Sequence, residues 1–294
     1  MLWSTPAIPK GGRSGSYWDM KSAITVSLVP EAKGGPFVFW NGLADAFRQA
    51  AQLGFHAVEI FPPSGAAIDP HEVRTLCVRY ALKVAAVGTG GGWILNKWHL
   101  CHADAAVRKQ ALQFIGEVID VAAALDASAI VGSMQGKVEG SVTREQALGW
   151  LADGLRELGA RAAAKGQVLI YEPLNRYETN LFNRLADAAD FLDAAQIGPV
   201  KLLADLFHMN IEEPSLANAL HAAARRIGHI HFADSNRQAI GFGHTDVVSV
   251  ANALREIGYT GYLSAEIVPL PDSARAAAQA ATAFQQYIAC SPHA

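Results

Sequence analysis

Four residues in the second half of the chain are of metal-ligand type and stand in like surroundings, each closing a short apolar run or lying within one. Glu172 follows Val168, Leu169 and Ile170, Asp205 closes VKLLAD, His231 lies in GHIHFAD, and Glu266 closes GYLSAE. Strand residues two apart share a face, so Glu172 points with Ile170 and Val168, and Asp205 with Leu203, toward an apolar interior. An unpaired carboxylate there costs several kcal/mol, and such groups either protonate or gather a cation. Any one of these acids alone reads as a helix cap or a solvated loop end. Together, at successive strand ends, they read as a divalent-metal site. Three carboxylates and one imidazole are mostly hard donors, which suits Mn2+ first, with Mg2+ or Co2+ as alternatives, rather than a thiolate-built structural zinc. On an octahedral ion this set leaves room for two neighbouring substrate oxygens to chelate.

The elements that must position these residues are legible from periodicity. Short β-rich apolar runs alternate with longer segments of helical period, the pattern of successive βαβ units and a parallel sheet. Eight strands are predicted, at 24–28, 57–61, 83–88, 128–134, 167–172, 200–205, 228–234 and 261–266. Eight helices fit between and after them, at 41–53, 70–81, 103–124, 143–165, 183–196, 214–226, 246–257 and 273–289. In the third, Val107, Ala111, Phe114, Val118, Ala122 and Leu125 fall three or four apart, while Arg108, Lys109, Glu117 and Asp120 avoid that stripe. Gly54, Gly166, Gly198 and Gly258 follow helical segments, where a residue able to take positive φ turns the chain into the next strand. Eight such units in about 265 residues define an α/β chain folded as a single-domain (β/α)8 TIM barrel over 22–290, preceded by a flexible tail at 1–21. Chemistry in that fold belongs where strands end and βα loops begin, which is where the four ligand-type residues stand.

Composition excludes several classes. With 51% hydrophobic and 17% charged residues in 294, the chain can bury a large core. Lys+Arg 24 against Asp+Glu 27 leaves no basic excess, so nucleic acid is not expected as a partner. No apolar run is long enough for a membrane span, and Cys77, Cys101 and Cys290 form neither CxxC pairs nor a disulfide framework, so a cytoplasmic protein is expected.

The stretches EPLNRYE (172–178), DLFHMNIEE (205–213), HFADSNR (231–237) and the strand-terminal Glu266 resemble the D-tagatose 3-epimerase branch of the xylose isomerase-like TIM barrels, which includes psicose (allulose) and L-ribulose 3-epimerases. The likeness spans about residues 22–285 and is strongest from the fifth strand onward. It implies that Glu172, Asp205, His231 and Glu266 bind the metal and that Glu178, His208 and Arg237 contact the sugar. It further implies a metal-held ketose, a cis-enediolate, and Glu172 and Glu266 as the acid/base pair on opposite faces of C3. Relatives of this kind are commonly homodimers or homotetramers. The sequence departs from the pattern after Glu266, where IVPLPD stands in place of the more usual Pro and aromatic residue, and in the loops after the first and third strands. The identity of the sugar is therefore left open.

Other signals admit two readings. GTGGGW (88–93) lacks the GxGxxG context of a dinucleotide loop, so no nucleotide cofactor is expected and a flexible loop is predicted. Trp93 and Trp98 could wall a sugar site or pack on the barrel. Glu59, ending the second strand, could reach substrate or form a salt bridge inside the rim. His229 reads as a hydrogen-bonded core histidine, one layer below His231. Gln135 and Lys137, after the fourth strand, could touch hydroxyls or a phosphate. Aldose–ketose isomerisation and dehydration of keto-inositols or keto-glycosides would use the same metal site. A metal-dependent endonuclease would need more histidines and a basic face, and a non-catalytic sugar-binding barrel would not require both glutamates.

Overall fold

The computed structural model describes residues 20–289. Eight parallel strands close into one barrel in sequence order, with β8 hydrogen-bonded to β1. They are β1 (Lys21–Ser27), β2 (Ala57–Phe61), β3 (Lys83–Gly88), β4 (Ser128–Val131), β5 (Leu169–Tyr171), β6 (Val200–Asp205), β7 (Ile227–His231) and β8 (Tyr262–Ala265). The helices in chain order are α1 (Leu43–Gln52), α2 (Pro70–Tyr80), α3 (Gly91–Asn96), α4 (Ala105–Ala124), α5 (Arg144–Ala163), α6 (Leu185–Ala194), α7 (Leu206–Glu212), α8 (Leu216–Ala222), α9 (Val247–Glu256) and α10 (Ser273–Phe284). Among the described residues no helix is long and apolar enough to cross a membrane.

Side-chain oxygens start most of the outer helices by satisfying backbone N–H groups that have no partner within the helix. Asp69, Asp104, Asp246 and Asp272 cap α2, α4, α9 and α10, and Thr143 with Gln146 forms a reciprocal capping box on α5. The stripe predicted for the third long helix is the buried face of α4, where Ala111, Phe114, Val118 and Ala122 meet the core.

Inside the barrel, Ala86, Ile130, Ile170 and Leu203 form one apolar cluster. Fully burying a side chain such as Ile170 or Leu203 stabilises the fold by roughly 1.5–3 kcal/mol. Continuing the alternation past this layer carries Glu172 and Asp205 onto the rim above it. β5 ends at Tyr171, so Glu172 is the first residue past the ladder, its N–H still donating to Val131 O at 3.0 Å.

Several boundaries differ from the sequence reading. β4 stops at Val131 rather than 134, and Ser133–Gln135 make a tight helical turn. β7 ends at His231 rather than 234. Residues 1–19 of the predicted tail lie outside the described residues; Met20 is buried and Lys21 opens β1, so the barrel begins slightly earlier than expected. The predicted 273–289 helix is α10 followed by a π-helical turn, Gln285–Ala289. The glycine-rich stretch is a packed turn leading into α3 rather than a flexible loop: a Cβ at Gly90 would stand 2.7 Å from the Phe61 ring, and one at Gly91 2.5 Å from Pro62 O. Gly198 does not take positive φ; Gln196 does, at 55°. α7 was not foreseen, because a helix of two turns leaves too few repeats to read.

Candidate active site

The rim of the barrel above β5 to β8 gathers Glu172, Asp205, His231 and Glu266. His231 Nδ1 lies 3.5 Å from Glu172 Oε1, 3.5 Å from Asp205 Oδ2 and 3.4 Å from Glu266 Oε2. Register explains part of this, since Asp205 and His231 are paired neighbours on β6 and β7. Asp205 divides its carboxylate: Oδ1 accepts from Phe207 N–H at 2.7 Å and caps α7, leaving Oδ2 for the site. Gly132 makes room for Glu172, since a Cβ there would collide with Oε2.

The donor set fits a divalent cation. Glu172 Oε1, Asp205 Oδ2 and His231 Nδ1 are buried with no hydrogen-bond partner, and one ligand atom from each lies within 4.8 Å of the others. Buried polar atoms are otherwise nearly always paired, so a converging unpaired set calls for a cation. A second group, Glu59, His229 and His231, is equally close. Its atoms satisfy one another instead: Glu59 Oε2 pairs with His229 Nε2 at 2.8 Å and Oε1 with His231 Nε2 at 3.1 Å. With Nε2–H donating to Glu59, His231 turns Nδ1 toward the carboxylates, where it would ligate a cation, the way an outer carboxylate orients a ligating imidazole. Of the two readings for Glu59, the geometry shows the ion pair inside the rim, with the side chain also lining the cavity. His229 is the buried, hydrogen-bonded histidine expected.

Charge follows this arrangement. Burial alone would raise the Glu59 carboxyl, but the His231 charge and the two imidazole hydrogen bonds hold it well below the usual range. Asp205 is likewise lowered, with burial outweighed by His208, His231 and Arg237. His231 is raised well above an ordinary imidazole, because Glu266, Glu59, Asp205 and Glu172 surround it and overcome burial. Glu266 moves the other way: burial, with Glu172 and Asp205 nearby, pushes it up to about 7 despite His231 and Arg237.

The resemblance-derived contacts are assembled around the same point. Arg237 Nη2 donates to Glu266 Oε2 at 2.6 Å, its guanidinium lies 4.8 Å from the Phe207 ring centroid, and Nη1 stands 3.6 Å from Glu178 Oε1. His208 Nε2 is 3.5 Å from Asp205 Oδ2 and 3.9 Å from Glu172 Oε1. Its tautomer follows from Asn175, whose Oδ1 accepts from Tyr177 N–H at 2.9 Å, fixing the amide so that Nδ2 donates to Glu178 at 3.1 Å and to His208 Nδ1 at 2.7 Å. Nδ1 is therefore an acceptor, and Nε2 carries the proton toward the site.

In the cavity, Phe61 and Leu174 stand as apolar walls among the charged residues. Trp93 lines an adjoining cavity. Trp98 packs against Phe114 of α4, ring centroids 6.0 Å apart, and is not among the residues lining either space. Gln135 is wholly buried: Tyr171 Oη donates to it at 2.8 Å, and it donates to Glu172 O at 2.9 Å.

One positioning residue escaped the sequence reading. Asp234, which the sequence places at the end of a strand, is buried and accepts from the N–H groups of Ser235, Gly241, Gly243 and Thr245 at 2.7–2.9 Å. It thereby folds the loop that carries Arg237, whose own φ of 60° is left-handed. The available signal was Asp followed by a Ser/Asn/Gly-rich stretch, which marks a loop but not its anchor.

A closed parallel barrel with carboxylates and a histidine converging at its strand C-termini is the frame of a TIM-barrel enzyme. The chain belongs to the xylose isomerase-like TIM barrel family, whose model matches residues 47–285. It is 30% identical over 248 residues to the L-ribulose 3-epimerase of Methylomonas sp. (strain DH-1), covering 79% of this chain and 83% of that protein. It is 41% identical over 113 residues to the 3-dehydro-D-guloside 4-epimerase of Escherichia coli (strain K12), a match spanning 38% of this chain and 43% of that protein. The crystal structure of D-allulose 3-epimerase from Methylomonas sp. in complex with D-allulose superposes with a TM-score of 0.75 at 26% identity, covering 91% of this chain and 98% of the other. The chain thus stands among sugar epimerases, a class of isomerases.

Proposed function

We propose that this protein epimerises a keto-sugar at the carbon beside its carbonyl, C3 in a ketose, with Glu172 and Glu266 as the acid/base pair. Glu172, Asp205 and His231 would hold the cation, with Glu266 beside them as the fourth ligand, and Mn2+ is the first choice on donor chemistry. When bound it supplies positive charge that polarises the carbonyl and acidifies the neighbouring C–H. The chain's own residues do the rest. Inversion requires a proton to leave one face of the carbon and return to the other. Glu172 and Glu266 enter from β5 and β8, three positions apart around an eight-strand ring, and both reach the His231 Nδ1 position; this observation carries the reading. Arg237 and the Nε2–H of His208 orient the substrate oxygens, Glu178 accepts a hydroxyl, and Glu59 braces His231 rather than touching sugar. Trp93 contributes a wall farther out.

The test is turnover in D2O of a ketose and keto-glycoside panel, after EDTA stripping and reloading with Mn2+, Mg2+ or Co2+. Deuterium beside the carbonyl with inverted configuration is expected. Label at C1 would instead make the enzyme an aldose–ketose isomerase, and loss of water would make it a dehydratase.

A further inference from the structure

The catalytic cavity does not end at the sugar site. Ser133, Leu174 and Glu178 line it on one side and also line a second cavity between the loops after β3, β4 and β5, completed by Trp93, Gly136, Lys137 and Tyr177. The outer cavity has the chemistry of a carbohydrate subsite, with two aromatic side chains among hydroxyl, ammonium and carboxylate groups. Its geometry is held from outside. Trp93 is half-buried, edge-on to His99 with centroids 5.6 Å apart. Tyr177 is 83% exposed, an unusual position for a large aromatic, yet its turn is braced by Asn175 and by the paired Arg176–Glu212 hydrogen bonds at 2.8 and 2.9 Å. An aromatic face displayed on a fixed turn beside a reaction centre is suited to stack on the C–H face of a second ring.

We infer that the natural substrate is a keto-sugar joined through a glycosidic bond to a second ring, which occupies the Trp93–Tyr177 cavity while the keto-sugar occupies the catalytic one. This rests on the epimerase reading above and extends it from the reacting ring to the group attached to it. The partial match to an enzyme named for a dehydro-guloside agrees with this substrate class.

The experiment compares three probes on the Mn2+-loaded enzyme: D-allulose, a methyl 3-keto-glucoside, and the phenyl 3-keto-glucoside that adds a ring. The phenyl glycoside is expected to exceed the methyl glycoside in kcat/KM by about fivefold or more, mostly through KM, as one stacked ring contributes. Tyr177→Ala, at an exposed position that does not challenge folding, should shrink that ratio toward one. Equal kcat/KM for the two glycosides, or a Tyr177→Ala loss shared equally by all probes, overturns the subsite while leaving the epimerase reading intact. Absence of turnover and of proton exchange on every probe removes both.

Discussion

The two halves of the barrel do different work. From β5 to β8, each strand end delivers a charged or imidazole side chain to the reaction centre, in Glu172, Asp205, His231 and Glu266, and the segments that follow bring Glu178, His208 on α7 and Arg237. From β1 to β4 the rim is built from shape: Phe61 packed on Gly88 and Gly90, the short α3, and the Ser133–Gln135 turn. Glu59 crosses over, as a first-half carboxylate that grips two second-half histidines. Chemistry that must place charges within a few ångströms leaves little freedom in one half, while the other can change the space available to the substrate without disturbing those charges.

Removing a charge from the second half should have the largest effect. Glu266→Gln is expected to lower exchange of the substrate proton by about 10²–10⁴-fold. Cation retention, read by Mn2+ electron paramagnetic resonance, separates lost proton transfer from lost metal. Undiminished exchange would take Glu266 out of the mechanism.

Glu59 sharpens the division from the other side. Glu59→Gln removes the negative acceptor that orients His231, and a loss of about 10–100-fold in metal affinity is expected, measured by competition with a chelator. Unchanged affinity would mean that the first half contributes shape alone.

The smallest effect is expected at Asp234, where the quantity at stake is the stability of the second half's own scaffold. Asp234→Asn replaces an acceptor oxygen by a donor facing backbone N–H groups and should cost about 1–3 kcal/mol at pH 7 in urea unfolding. Backbone hydrogen bonds, outweighing burial, hold its carboxyl below the ordinary range. The stability it contributes is therefore complete above the unfolded value of about 3.9 and is lost as pH falls through the lower folded value. The gap between wild type and variant should narrow from pH 5 toward pH 3, and a constant gap would assign the loss to packing.

The same division governs what could be read from the sequence. Glu172, Asp205 and Glu266 were legible because a carboxylate ending an apolar run is locally anomalous, and period-2 alternation fixed where it points. Glu59 was ambiguous because its meaning lies in His229 and His231, 170 and 172 residues away and across the barrel, a pairing no local pattern carries. α3 was hidden by glycines whose purpose is contact with Phe61 and Pro62. The role of Asp234 depends on the folded path of its own loop, and Gly198 lost its expected left-handed turn to Gln196 because helix ends are settled by packing as well as by preference.

The turn at 175–178 has a practical consequence. The two side chains before Tyr177 are tied down, Asn175 to His208 and Arg176 to Glu212, while that of Tyr177 stands 83% exposed. The position works as a mounting point beside the reaction centre. A cysteine introduced there could carry an environment-sensitive dye whose emission reports ligand arrival in real time, and a small library of side chains at this one codon could retune which substrates are accepted.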